Sequence, residues 1–321
     1  MTSQVYVLAF TAFILSVVFS PIYIRFSRSK QFGQQVRSDG PRRHFHKAGT
    51  PTMGGIVILF SLLISLFFGV EKTPFLILAV GITLTSAFLG FLDDYRKVVR
   101  RTSLGLKARE KLAGQFVFSV VFYLVLLYLG HSTVVDIPFS TLQIDFGLAY
   151  PLLIFLMIVA ASNAVNLTDG IDGLAGGTSI IAFLAFLLLA SMQGLQDMAL
   201  FCGTMIGAIF GFLIFNLHPA RVFMGDVGSL SLGAALAAAA ILTKAEFYLA
   251  IIGGVFVLET LSVILQVISF QLTGKRILLM APLHHHFEMK GWSEWQVVTG
   301  FWALGFVFAI MGLLDFPWPL R

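Results

Sequence analysis

Two neighbouring carboxylates, Asp93 and Asp94, close an apolar run and are followed by Lys97. Adjacent carboxylates at such a boundary repel each other unless a cation or a basic side chain is shared between them, so one is expected to hold its proton or to face a metal. The plainer alternative is an Asp93 to Lys97 pair at i, i+4, worth roughly a few tenths of a kcal/mol. A second cluster holds Asn163, Asn166, Asp169 and Asp172, with glycines at 170 and 173. Its two Asp-Gly steps turn the chain, and its side chains offer hard oxygen ligands and amide donors suited to Mg²⁺, a phosphate-bearing hydroxyl group or a nucleobase edge. No late glutamate completes an EF-hand frame. A capped turn between helices is the alternative.

A third cluster runs from Asn216 through His218, Pro219, Arg221, Phe223, Gly225 and Asp226 to Gly228 and Ser229. Pro219 stops one helix, Ser229 is placed to cap the next, and the glycines let backbone approach a ligand near Asp226. Asp226 is a candidate metal ligand; otherwise it complements a helix N-terminus. The fourth cluster is His284, His285 and His286, followed by Phe287 and Glu288. Three consecutive imidazoles cannot converge on one ion from a regular element, and no zinc spacing accompanies them. Phosphate contacts or acid and base work near neutral pH suit them, against the alternative of a surface histidine run.

The elements that must position these groups are membrane helices. A soluble domain carries about a quarter charged residues, whereas this chain has 12% charged, 58% hydrophobic and a mean hydropathy of +0.91. With roughly 20 apolar residues per span, 321 residues supply a single all-α polytopic membrane domain, 1–321. Ten apolar runs are present: Val5 to Ile24, Thr52 to Val70, Phe75 to Leu92, Leu112 to Leu129, Ala149 to Val165, Leu174 to Met192, Met198 to Leu217, Leu230 to Thr243, Phe247 to Leu272 and Val297 to Leu314. No basic segment or cleavage site marks a removable signal, so the first helix is expected to stay.

Positively charged connections remain in the cytoplasm. Eighteen of the 21 Lys and Arg residues fall in the odd-numbered connections, leaving Lys72, Lys244 and Arg321 on the other side. Both termini are therefore expected outside, and all four polar clusters fall on the cytoplasmic face. The net charge of +5 belongs to these loops, and no nucleic acid is expected as a partner. Gly203, Gly207 and Gly211 form a helix-packing stripe, and the connection from Gly130 to Leu148 alternates as a short hairpin. Cys202, the lone cysteine, reads as packing.

Together with HFHKAGTPTMGG (44–55), the motifs DDYRK, NAVNLTDGIDGL, NLHPARVFMGDVGS and APLHHHFEMKGW make the chain similar to the polyprenyl-phosphate N-acetylhexosamine-1-phosphate transferases. The match spans nearly the whole chain, and the uninterrupted APLHHHFE form resembles the branch that takes a MurNAc-pentapeptide donor. The resemblance implies an enzyme of the bacterial cytoplasmic membrane. Such enzymes take phospho-MurNAc-pentapeptide from its UDP derivative to undecaprenyl phosphate, with Mg²⁺, giving lipid I and UMP; a homodimer is also implied.

Residue by residue, Asp226 with Asn166 is expected to hold Mg²⁺. Asp93 is expected to deprotonate or orient the lipid phosphate, with Asp94 as helper. The resemblance points to Asn163, Asn166, Asp169, Asp172, Lys97 and Phe223 around the nucleoside and diphosphate, with Phe223 stacking on uracil. Lys47, Lys111, His284, His285 and His286 are expected phosphate contacts. Glu259 and Gln266, one heptad apart in the ninth run, should line a polar cavity, since either is costly in lipid; a break or bend is expected near Glu259, at a lipid entrance. The rivals are a UDP-GlcNAc transferase of the same family and, in a different class, a transporter with midplane binding groups.

Overall fold

The apolar runs fold as helices that extend past the runs themselves and draw the flanking polar residues into their last turns. The computed structural model describes residues 3–30, 32–33, 49–100, 102 and 104–317. In chain order the elements are α1 (Ser3–Ser29), α2 (Gly55–Gly69), α3 (Pro74–Arg100), α4 (Ala108–Tyr128), β1 (Val134–Asp136), β2 (Gln143–Asp145), α5 (Tyr150–Thr168), α6 (Leu174–Met192), α7 (Gln196–Asn216), α8 (Gly225–Leu242), α9 (Tyr248–Ile252), α10 (Gly254–Thr273), α11 (Leu283–Met289) and α12 (Glu294–Asp315).

Nine of these helices are long and apolar enough to cross a membrane among the described residues. The second run supplies a shorter helix, α2, of 15 residues. It starts late because its first backbone donors are used elsewhere: Gly54 N–H donates to Phe223 O at 2.8 Å and Gly55 N–H to Met224 O at 2.9 Å. These bonds satisfy helix-start groups that would otherwise be orphaned, and they tie α2 to the segment leading into α8.

The centre of the bundle is α8, buried along its length from Asp226 to Leu242. Its alanines, glycines and serines allow neighbouring backbones to come close. A β-carbon on Gly233 would lie 2.6 Å from the Ala161 carbonyl carbon of α5, and one on Gly90 of α3 would overlap the Asp226 carbonyl. The stripe on α7 has the packing role expected of it. A β-carbon on Gly207 would overlap Ala9 O, and one on Gly211 would lie 2.6 Å from Phe13 O, both on α1.

The ninth run breaks, but at Gly253 rather than near Glu259. Gly253 closes α9 and opens α10, which continues uninterrupted past Glu259 to Thr273. A β-carbon on the adjacent Gly254 would lie 2.6 Å from the Phe308 ring of α12, so Gly254 admits that ring, while one on Gly253 would lie 2.7 Å from Leu249 O. Glu259 forces no break because its carboxylate is satisfied within the helical bundle, by His284.

Hydrogen bonds separate the two ends of the bundle. At one end Gln4 donates to Gly69 O at 2.7 Å, Thr73 to Asp197 at 2.8 Å, and Gln193 to Thr243 O at 3.0 Å. The β1–β2 hairpin, antiparallel with Val135 opposite Ile144, lies at this end, where Lys244 donates to Ser132 O and Phe139 N–H to Asp315. Both described chain ends, near Ser3 and Asp315, are therefore at the hairpin end. The polar clusters gather at the other.

Candidate active site

Two helix ends bring three carboxylates together. Asp93 and Asp94 lie in the last turns of α3, and Asp226 lies in the first turn of α8, so these residues are helical rather than in connections. Oxygens of all three come within 4.8 Å of one another, and all three side chains are buried. Buried like charges need cations, and two lysines supply them. Lys97 Nζ is 2.6 Å from Asp93 Oδ2, 3.0 Å from Asp226 Oδ1 and 3.6 Å from Asp94 Oδ1. Lys111, from the first turn of α4, is 3.0 Å from Asp93 Oδ1 and 2.7 Å from Asp226 Oδ2. The i, i+4 pair and the shared-cation reading of Asp93 and Lys97 therefore both hold.

Each carboxylate is further fixed by a different neighbour. Asp93 Oδ1 accepts the Leu106 N–H at 2.7 Å, and Asp94 Oδ2 accepts the Val227 N–H at 3.1 Å. Asn166, in the last turn of α5, donates through Nδ2 to Asp226 Oδ1 at 3.0 Å and to Ser229 Oγ at 2.8 Å. Ser229 does not cap α8, as its position after the glycines had suggested. It sits one turn inside that helix and donates to Gly225 O at 3.1 Å. The signal for its real role was available: residues 226 and 229 are three apart and share a helix face once α8 is taken to begin at Gly225.

A second polar group lies at the same end. Asp172 Oδ2 accepts the Ala220 N–H at 3.0 Å and is 3.1 Å from His218 Nδ1, which is 3.3 Å from Glu294 Oε2 at the start of α12. Sequence reasoning assigned no role to His218 or Glu294, whose pairing joins elements far apart in the chain. Between the two groups lies Asp169, which retains some solvent exposure. Burial, with the negative charges of Asp226, Asp94 and Asp172, holds its carboxyl pKa well above the usual range. Asn216 braces this region, accepting Gly173 N–H at 3.2 Å and donating to Val222 O at 3.0 Å.

The histidine cluster forms α11. His284 packs against Gly170 beside Asp169, and a β-carbon on Gly170 would lie 2.7 Å from His284 Cε1. His285 Nδ1 pairs with Glu288 at 2.7 Å, and His286 Nδ1 accepts the Leu279 N–H at 3.1 Å. Phe223 is half-buried, and its backbone is held by Pro51 and Gly54. Two expected residues are used differently. Asn163 is exposed and donates to Val159 O of its own helix at 2.8 Å. Gln266 braces the segment after α10, accepting from Ile277 and Leu278 and donating to Leu278 O at 2.9 Å. Glu259 and Gln266 both find polar partners, as their cost in lipid requires. Lys47 lies outside the described residues.

The chain matches the Glycosyl transferase family 4 profile over residues 75–244 and the Phospho-N-acetylmuramoyl-pentapeptide-transferase signature 1 over residues 47–59. It is 55% identical to the phospho-N-acetylmuramoyl-pentapeptide-transferase of Shouchella clausii, covering 96% of each chain. It is 53% identical to that of Bacillus subtilis, covering 95% of this chain and 96% of the relative, and 52% identical to that of a Geobacillus species, covering 99% and 100%. The chain belongs to the phospho-N-acetylmuramoyl-pentapeptide-transferase family. Within that family frame, the second matched segment leads directly into α2, whose first donors are held by the residues before Asp226. The matched profile covers α3 through α8 and with them Asp93, Asp94, Lys97, Lys111, Asn166 and Asp226. Polar groups concentrated at one end of the bundle also speak against a transporter, whose binding groups lie near the membrane midplane.

Proposed function

We propose that this chain transfers phospho-MurNAc-pentapeptide from its UDP derivative to undecaprenyl phosphate, releasing UMP and forming lipid I for peptidoglycan synthesis. The observation that carries this reading is the convergence of Asp93, Asp94 and Asp226 with Lys97 and Lys111 at one end of a membrane bundle, in a chain of this family. The reading places that end at the cytoplasmic face of a bacterial inner membrane, with both termini outside, because most Lys and Arg flank it. A homodimer belongs to the same reading.

Both substrates are anionic at the reacting centre, so the site must lower their repulsion. A set of three carboxylates within 4.8 Å suits Mg²⁺, a hard cation that takes oxygen ligands. Asp226 would hold it, with Asn166 and Asp94 beside it. Mg²⁺ bound there supplies electrostatic neutralisation of the diphosphate and of the departing UMP. Lys97 and Lys111, which now bridge the carboxylates, are the protein's own cations for the incoming phosphates. Asp93, held by Leu106 N–H, orients the acceptor phosphate or takes its proton. Asp94, spent in part on Val227 N–H, positions the start of α8. Asp169 and Asp172, the α11 histidines, Lys47 and Phe223 bind the nucleoside and diphosphate, with Phe223 stacking on uracil.

An acceptor phosphate is nucleophilic enough near neutral pH for one in-line displacement. The transferred phosphorus should therefore invert its configuration; retention would indicate an aspartyl-phosphate intermediate. The test of function is purified protein with Mg²⁺, undecaprenyl phosphate and either UDP-MurNAc-pentapeptide or UDP-GlcNAc. UMP release and lipid-linked product are expected with the first donor; selective use of the second would overturn the donor assignment.

A further inference from the structure

The three histidines of α11 are all held through Nδ1, but not in the same sense. At His286 the Leu279 N–H donates to Nδ1 at 3.1 Å, so that nitrogen is an acceptor and the ring proton belongs on Nε2. At His284 the partner is the Glu259 carboxylate, an acceptor, 3.1 Å from Nδ1. The proton must then lie on Nδ1, leaving Nε2 bare in the neutral ring. Glu259 Oε1 also accepts the His284 backbone N–H at 3.2 Å, so the carboxylate grips ring and backbone together.

Both side chains are fully buried, at 0% exposure. His284 Nε2 finds no hydrogen-bond partner among the described residues and abuts Gly170, where a β-carbon would overlap it. A hydrogen on Nε2 would point into the Asp169–Gly170 turn, while Nδ1 would turn a lone pair toward a carboxylate. The Glu259 contact therefore favours the opposite tautomer, with Nδ1 donating to the carboxylate. An acidic residue in the middle of a membrane helix is costly, and this pairing gives Glu259 a reason to be there.

We propose that Glu259 is a positioning residue for the transfer reaction. It fixes His284 as the Nδ1–H tautomer with bare Nε2 against Gly170, and so sets the turn that presents Asp169 and Asp172 to the nucleotide donor. The proposal rests on the reading above, in which that turn binds the donor.

Glu259→Gln is the informative change. An amide has one oxygen and one NH₂ where the carboxylate has two acceptors, so it can accept from the His284 backbone only by turning its NH₂ toward Nδ1. The ring should then adopt the Nε2–H form, against Gly170. The test reads ¹⁵N-histidine NMR of the detergent-solubilised full chain, with the His284 signals assigned by their loss in His284→Asn. Wild type should show protonated Nδ1 and bare Nε2, and Glu259→Gln should show the reverse. Glu259→Gln should also lower kcat/KM for the UDP donor by roughly ten- to a hundred-fold, the usual scale for losing an orienting partner, with KM for undecaprenyl phosphate unchanged. Gly170→Ala, which pushes on the same ring without touching Glu259, should give the same donor-side loss and supplies the kinetic test if Glu259→Gln does not fold. An Nε2–H ring in wild type, or donor kinetics within twofold of wild type in either folded variant, would overturn the proposal. Wild type that releases no UMP would instead sink the functional reading, since the tautomer is read without substrate.

Discussion

Asp94 accepts the backbone N–H of Val227 at 3.1 Å, so one of the two adjacent carboxylates is committed to holding the first turn of α8. Asp93 has no such bond to α8; its backbone partner is Leu106, in the α3–α4 connection. The two aspartates are neighbours in sequence with different work. Asp94→Ala should destabilise the fold by about 1–2 kcal/mol, the scale of a charge-assisted bond to a helix start, visible as a lower thermal midpoint in detergent. Asp94→Asn keeps an acceptor and should lose less than half of that. Asp93→Asn should leave the midpoint nearly unchanged and cut turnover by about a hundred-fold or more.

Helix packing and chemistry can be separated by two glycine substitutions. Gly207→Leu forces α7 away from Ala9 of α1, far from the carboxylates, and should cost about 1–3 kcal/mol of stability by overpacking. UMP release per folded molecule should hold. Gly90→Ala pushes on the Asp226 carbonyl and should depress turnover as well. Equal turnover losses in both variants, per folded molecule, would contradict the separation.

How much of this could be read from sequence depends on distance along the chain. The apolar runs, the glycine stripe and the hairpin are local patterns, and the helices follow them closely. The boundaries failed where polar residues were taken to end a helix: Asp94, Asn166 and Asp226 all lie inside helices, because each carries its polar group to a partner on another element. The break was placed six residues late because its position at Gly253 goes with tertiary packing, the neighbouring Gly254 lying against the Phe308 ring of α12. Asn166 to Ser229 and His284 to Glu259 are pairings across 63 and 25 residues, and no local periodicity encodes them.

The raised pKa of Asp169 gives a pH test with a definite sign. A carboxyl that binds its proton more tightly when folded than unfolded contributes stability fully present below the ordinary aspartate range, and loses it as pH rises through the raised value. Asp169→Asn removes the partly buried negative charge that the carboxyl carries at higher pH. It should raise the thermal midpoint of the metal-free protein more at pH 8 than at pH 5, as measured in detergent. A gain independent of pH would show that the carboxyl ionises normally.

Sidedness can be read by cysteine labelling, since the native Cys202 is fully buried. Ser140, at the tip of the hairpin, and Thr102, beside the carboxylate end, are both exposed. In intact cells an impermeant maleimide should label Ser140→Cys and spare Thr102→Cys until the membrane is opened. The reverse pattern would invert the proposed orientation.

The proposed reaction depends most on three carboxylates forming one magnesium-dependent centre. The direct measurement is UMP and lipid-linked product from purified protein, UDP-MurNAc-pentapeptide and undecaprenyl phosphate across a Mg²⁺ titration, for wild type, Asp226→Asn and Asp93→Asn. Wild type should fall silent with chelator and recover with Mg²⁺; both variants should lose about a hundred-fold or more at saturating metal, and Asp226→Asn should also need more Mg²⁺ for half its remaining rate. Wild-type turnover in both variants, or turnover indifferent to chelator, would contradict the account.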